Sequence, residues 1–116
     1  MSKKKYLRKN EFRFFTNKNY LSKKGDPHPA YISARQGHKF RFNVVTHTKT
    51  FFNEPTTPLS SNPNKLSKDP RVSRVSVPRW ANANKENFSE ERLSKHQWRF
   101  SKKDLSAVKK LNKKYK

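Results

Sequence analysis

Charge sets the first limit on what this chain can fold into. Lys and Arg number 29 against 8 acidic residues in 116, a formal net charge of +21 at pH 7. Cations at that density repel one another in any compact state, and a line of phosphates relieves the repulsion while shedding its own condensed counterions. A polyanion is the expected partner, and affinity for it should fall steeply with salt. Only 30% of the residues are hydrophobic, a share that leans toward disorder when charge is high. The counterweight is aromatic. Nine Phe, four Tyr and two Trp each bury a large area for one ordering cost, so a small core can form. At this length one domain with tails is expected rather than two.

Several classes fall away. Cysteine is absent, which removes disulfide frameworks and thiolate zinc sites, and four scattered His are a poor metal set, so no metal or cofactor is expected. No apolar run reaches the roughly 18 residues of a membrane span, and the basic opening lacks the apolar stretch of a signal peptide. A cytoplasmic location follows as an expectation. Two glycines cannot supply a glycine-rich phosphate loop, and no Walker motif is present, which argues against nucleotide hydrolysis.

Three parts follow one another along the chain, and together they predict an α+β fold. Residues 1–26 form a basic, partly flexible arm, with nine basic residues and one acid up to Gly25. Phe12, Phe14, Phe15, Tyr20 and Leu21 within it are apolar enough to stack on bases, although docking on the core is the commoner fate. Residues 27–100 read as a small antiparallel β-barrel or curved sheet. Segments 30–34 and 38–48 are rich in β-branched and aromatic residues and flank Arg35, Gln36 and Gly37, which predicts a hairpin. On its second strand Phe40, Phe42, Val44 and Thr46 share one face, and Lys39, Arg41, Asn43, Val45 and His47 share a mostly polar one. Segment 49–70 carries Pro55, Pro58, Pro63 and Pro70 and reads as a long loop. A third strand is expected over 71–77, with Val75 and Val77 opposite Val72 and Arg74, before Pro78 interrupts it. Trp80 and Trp98 are expected in the core.

Two helices are expected after that. The first opens at Ser89, with Phe88 and Leu93 as a hydrophobic staple. The second spans 101–116, where Ser101 and Asp104 are spaced as a capping box and Phe100 and Leu105 as a staple. Its stripe of Leu105, Val108, Leu111 and Tyr115 leaves the lysines outside, so this segment offers cations to phosphate.

RNA can be cut without a metal if a base takes the 2′-OH proton, an acid protonates the leaving 5′-oxygen, and cations stabilise the phosphorane. His titrates near neutrality and Arg offers a planar fork, so these types suit the roles. The catalytic candidates are His28, Thr46, His47 and Thr48, since a hairpin turning at Arg35 to Gly37 sets residues near His28 opposite 44–46. Each also has a plainer reading: His28 as a turn residue, His47 as a solvent-facing strand position, and the threonines as ordinary β formers. His38 and His96 read as surface residues. Arg41, Arg71, Arg74, Arg79, Lys102, Lys103, Lys109 and Lys110 are the candidate nucleic-acid contacts, with Arg79 beside Trp80 placed to stack on a base.

The run His28-Pro29-Ala30-Tyr31-Ile32, a Gly turn, and then residues 42–48 resembles the opening strands of MazF/PemK-type toxins, and the likeness extends over residues 27–79. That resemblance implies an SH3-like barrel, metal-free endoribonuclease chemistry, a homodimer and a neutralising antitoxin partner. In the family an Arg-Pro pair starts the first strand and a Thr or Ser ends a following one. Here Pro29 and Thr46 or Thr48 match, while His28 stands in place of the arginine. A looser similarity is to phage or mobile-element nuclease-like proteins with a His-Pro strand and a Thr-His-Ser/Thr strand. The expected function is nucleic-acid binding, RNA rather than DNA, with toxin-like cleavage as its catalytic form. The alternative is a non-catalytic binder, ribosome-associated or DNA-coating. A coat for acidic membranes fits least, because the C-terminal apolar stripe is narrow.

Overall fold

The structure, a computed structural model, describes residues 11–17, 27–90, 93 and 98–115. Its strands are β1 (Glu11–Phe15), β2 (His28–Gln36), β3 (Lys39–Thr46), β4 (Thr50–Phe51), β5 (Glu54–Pro55), β6 (Thr57–Pro58), β7 (Arg74–Val75) and β8 (Arg79–Asn82), followed by the helix α1 (Lys102–Lys114). Six strands make one antiparallel sheet in the order β1-β2-β3-β7-β6, with β8 also on β3, and β4 pairs with β5 alone. The class is α+β, with a curved antiparallel sheet and one C-terminal helix.

The central hairpin forms where the residue pattern places it, with Ala30 opposite Val44 and Gln36 opposite Lys39. Its turn is Gly37-His38 rather than Arg35 to Gly37. Gly37 takes φ 60°, which a residue without Cβ reaches at no steric cost and which the first central position of a tight hairpin requires. A register shift between Ile32 and Ala34 bends β2.

Both faces of β3 are covered, which corrects the expectation of one polar face. Phe40, Phe42 and Val44 pack with Phe15, Ala30, Ile32, Phe51 and Phe88 on one side. Within that cluster Phe15 stacks on Phe42 at 4.7 Å, and Phe88 meets Phe40 and Phe42 edge-on at 5.3 and 5.1 Å. On the other side Val45 joins Phe12, Tyr31, Leu59, Val75, Leu93 and Val108. Asn43, fully buried, exchanges hydrogen bonds with Asn112 of α1 at 2.8 and 3.0 Å and donates to the Ser76 carbonyl at 3.0 Å. A helix laid across the sheet turns the expected solvent face into a second core layer.

Glu11–Phe15, part of the expected arm, is instead a sheet strand, paired along its whole length with β2. Phe12 and Phe15 dock on the core as the commoner fate predicts. Arg13 is buried, donating to the Ser89 and Glu90 carbonyls at 3.1 and 3.0 Å. The rest of the arm, Tyr20 and Leu21 included, lies outside the described residues.

Segment 49–70 is more structured than a loop. Phe52 and Asn53 at φ 51° and 64° turn a two-residue hairpin between β4 and β5, the positive pair that strand twist favours. Pro58 sits opposite Arg74, where an edge strand tolerates a residue with no N–H. The expected third strand contracts to Arg74–Val75, yet its faces are as predicted: Val75 and Val77 are buried and Val72 is 56% exposed. Ser76 explains the contraction. Its N–H donates to the Val44 carbonyl while its hydroxyl accepts from the Val44 N–H at 2.8 Å, so a side chain replaces one ladder bond. Past Pro78 the chain pairs again with the first half of β3 as β8. Trp80 there is 44% exposed, against the expectation of a core position, because β8 lies at the sheet margin.

Helix α1 starts at Ser101, whose hydroxyl accepts from the Asp104 N–H at 3.2 Å. The capping box is only half made. The Asp104 carboxylate turns instead to the Ser60 and Ser61 N–H groups at 2.8 and 3.2 Å. Tyr115 leaves the expected stripe and is 44% exposed, while Asp104 and Asn112 join Val108 on the buried side. Most of the helix expected from Ser89 falls outside the described residues. Phe88 and Leu93, its expected staple, belong to different core clusters.

Candidate nucleic-acid interface

The start of β2 and the end of β3 meet at one rim of the sheet. Continuing the Ala30 and Val44 pairing by two residues sets His28 opposite Thr46. Here an open cleft of about 480 Å³ is lined by His28, Pro29, Thr46, His47 and Thr48, by Asn62, Asn64, Ser67, Arg71 and Ser73 of the following segment, and by Trp98. All four catalytic candidates and one candidate arginine thus share a cleft.

Hydrogen bonds determine what each can do. The Thr48 hydroxyl donates to the Thr50 carbonyl at 2.5 Å, so at its 3.1 Å contact with Thr46 it accepts, and the Thr46 hydroxyl donates. Thr46 in turn accepts from the Thr48 N–H at 3.3 Å. Both hydroxyl protons are committed within the turn, which makes these threonines a shaping element rather than a nucleophile. The Thr48 carbonyl is held by the Thr56 hydroxyl at 2.6 Å. Arg74 fastens Thr56 through its side chain at 2.7 Å and its carbonyl at 2.9 Å.

The two imidazoles are in different settings. His28 is half-buried, its ring edge-on to Phe51 at 5.6 Å. His47 lies 3.0 Å from the Val72 carbonyl through Nδ1, and a carbonyl only accepts, so Nδ1 carries a proton and Nε2 is the variable position. Nε2 lies 3.6 Å from Asp69. Asp69 also takes a fork from Arg71, with Nη2 at 2.7 Å and Nε at 3.1 Å. Hydrogen bonds from the Arg71 guanidinium and backbone N–H hold the Asp69 carboxyl well below the usual carboxylate range. Asp69 is therefore ionised throughout the neutral range, and its charge offsets that of Arg71 at this rim.

The remaining candidates lie elsewhere. Arg41 donates to the Asn112 carbonyl at 2.8 Å and to that of Tyr115, closing the C-terminal end of α1. Arg79 sits 4.8 Å above the Phe52 ring. Lys102, Lys103, Lys109 and Lys110 are exposed on α1. His38 is exposed at the hairpin turn, and His96 lies outside the described residues. The sequence expectation missed Asp69, Ser73 and the cleft position of Trp98. Only Asp69 left a local signal, since an Asp-Pro-Arg run closes readily on its own backbone.

Among the described residues no group of three or more His, Asp and Glu is arranged to hold a metal, and no helix is long and apolar enough to cross a membrane. No protein-family model matches the chain, and neither a curated protein nor a solved structure matches it.

Proposed function

We propose that this protein binds RNA, and that one phosphodiester of the strand occupies the cleft between His28 and His47. The observation that carries this reading is the convergence of both imidazoles on one open cleft in a chain of charge +21. The exposed lysines of α1 supply sequence-blind affinity for the backbone.

The same cleft supports metal-free strand cleavage. His28 takes the 2′-OH proton, the 2′-oxygen attacks phosphorus, and the bond from phosphorus to the 5′-oxygen breaks. The protonated Nε2 of His47 passes its proton to the leaving oxygen, a role that suits an imidazole whose Nδ1 is fixed on a carbonyl. The products are a 2′,3′-cyclic phosphate and a 5′-hydroxyl. On the MazF/PemK resemblance the reading extends to a cytoplasmic toxin with a closed barrel, a homodimer and an antitoxin.

A non-catalytic RNA or DNA binder is the second reading. It is favoured by the Arg71 fork, which is spent on Asp69, and by the closed threonine pair.

Incubation with mixed RNA in EDTA separates the two. Cleavage by the wild type that leaves cyclic phosphate ends, lost in His28→Ala and His47→Ala while binding persists, is the expected result. Absent cleavage in all three proteins sinks the ribonuclease reading and leaves the binder.

A further inference from the structure

A second cleft, of about 470 Å³, opens between the sheet and the start of α1, lined by Phe12, Tyr31, Trp98, Phe100, Arg99, Leu105 and Lys109. Its volume lies in the roughly 300 to 1,000 Å³ range of small-ligand sites. Trp98 lines this cleft and the histidine cleft as well, so the two adjoin across one indole.

We infer that the second cleft is a nucleobase subsite, in which an unpaired base of the bound strand stacks against Trp98 and Phe100 while Lys109 and Arg99 meet its phosphates. The inference rests on the RNA-binding reading and names its ligand as single-stranded RNA.

Three observations support it. The first is an aromatic wall whose open rings are the half-buried Trp98 and Phe100, backed by the buried Phe12, centred 5.6 Å from Trp98 and 5.0 Å from Phe100, and by the buried Tyr31, 4.8 Å from Phe100. The second is the anchoring of Trp98, whose backbone bridges to Asn64 while the Arg99 N–H donates to the Pro63 carbonyl at 2.9 Å. A half-buried indole held in this way is ordered before any ligand arrives, which lowers the entropy lost on stacking. The third is charge, because Arg99 and Lys109 are both exposed. Rings rimmed by cations suit a base joined to phosphate and suit an apolar peptide poorly. A duplex keeps its bases stacked on one another and has none to offer.

The test follows indole fluorescence in a Trp80→Phe background, where Trp98 is the only tryptophan. A single-stranded RNA decamer should quench it, and the blunt duplex of the same sequence should not. Trp98→Ala should weaken single-strand binding about 5- to 150-fold, the range of one lost stacking contact, and Trp98→Phe should restore part of it. If Trp98→Ala fails to fold, Lys109→Glu carries the comparison. It should cost more single-strand affinity than Lys113→Glu on the same helix, and equal losses overturn the proposal. Equal quenching by strand and duplex, or a folded Trp98→Ala with unchanged affinity, also overturns it while leaving RNA binding intact. If the wild type binds neither form, the RNA-binding reading itself fails.

Discussion

Asn112→Ala tests how α1 is held on the sheet, and with it one wall of the second cleft. The side chain is 7% exposed and shares two hydrogen bonds, at 2.8 and 3.0 Å, with the fully buried Asn43. Truncation removes both. The Asn43 amide keeps the Ser76 carbonyl as a partner, but its Oδ1 loses the donor from Asn112. Two hydrogen bonds at a net of about 1 kcal/mol each, together with the desolvated acceptor, come to roughly 3 to 5 kcal/mol. For a chain of this size that lowers Tm by roughly 10 °C or more. Urea unfolding at 25 °C, followed by circular dichroism, measures the loss directly. Asn43→Ala and the double variant complete a cycle, in which the double should cost at least about 1 kcal/mol less than the sum, since both single changes break the same pair. Arg41 binds the Asn112 carbonyl rather than its side chain, so the helix end should stay capped. An Asn112→Ala loss under about 0.5 kcal/mol, or additive single changes, would refute the claim that this amide pair couples helix to sheet.

Two further outcomes follow. Replacing Lys102, Lys103, Lys109 and Lys110 together by Ala should lower the slope of log affinity against log salt for single-stranded RNA by about 3, and an unchanged slope would remove α1 from the interface. Burial opposes ionisation of Asp104, but hydrogen bonds from Ser60, Ser61 and Ser101 outweigh it and pull its pKa below 3.8. A carboxyl lowered by folding stabilises above its unfolded value and loses that contribution as pH falls through the folded one. The stability gap between wild type and Asp104→Asn should therefore be full at neutral pH and close as the medium becomes strongly acidic. A gap independent of pH would show that the charge on Asp104 does not matter.

Local chemistry wrote some of this protein into its sequence. Alternation of Phe40, Phe42 and Val44 marks a strand because the pleat has a period of two. Gly37 marks its turn, and Ser101 marks the start of α1 because its hydroxyl caps an N–H three residues on. That His28 faces the Thr-His-Thr end of β3 also followed from hairpin register, which depends on neighbours along the chain.

What the sequence by itself could not decide depended on distant partners. Asn43 and Asn112 each look like surface residues, and only when α1 lies on the sheet does each meet the other's amide. Ser76 reads as a strand residue until its hydroxyl takes the place of a ladder bond to Val44. Arg71 and Arg41 look equally ready for phosphate in the sequence, yet Asp69 takes one and the carbonyls at the end of α1 take the other. Trp98 gained its position between two clefts from a backbone bridge to Asn64. The physical reason is common to all of these. Charge, periodicity and capping act within a few residues, whereas burial, pairing and pocket shape are set by which segments, distant along the chain, come to exclude water together.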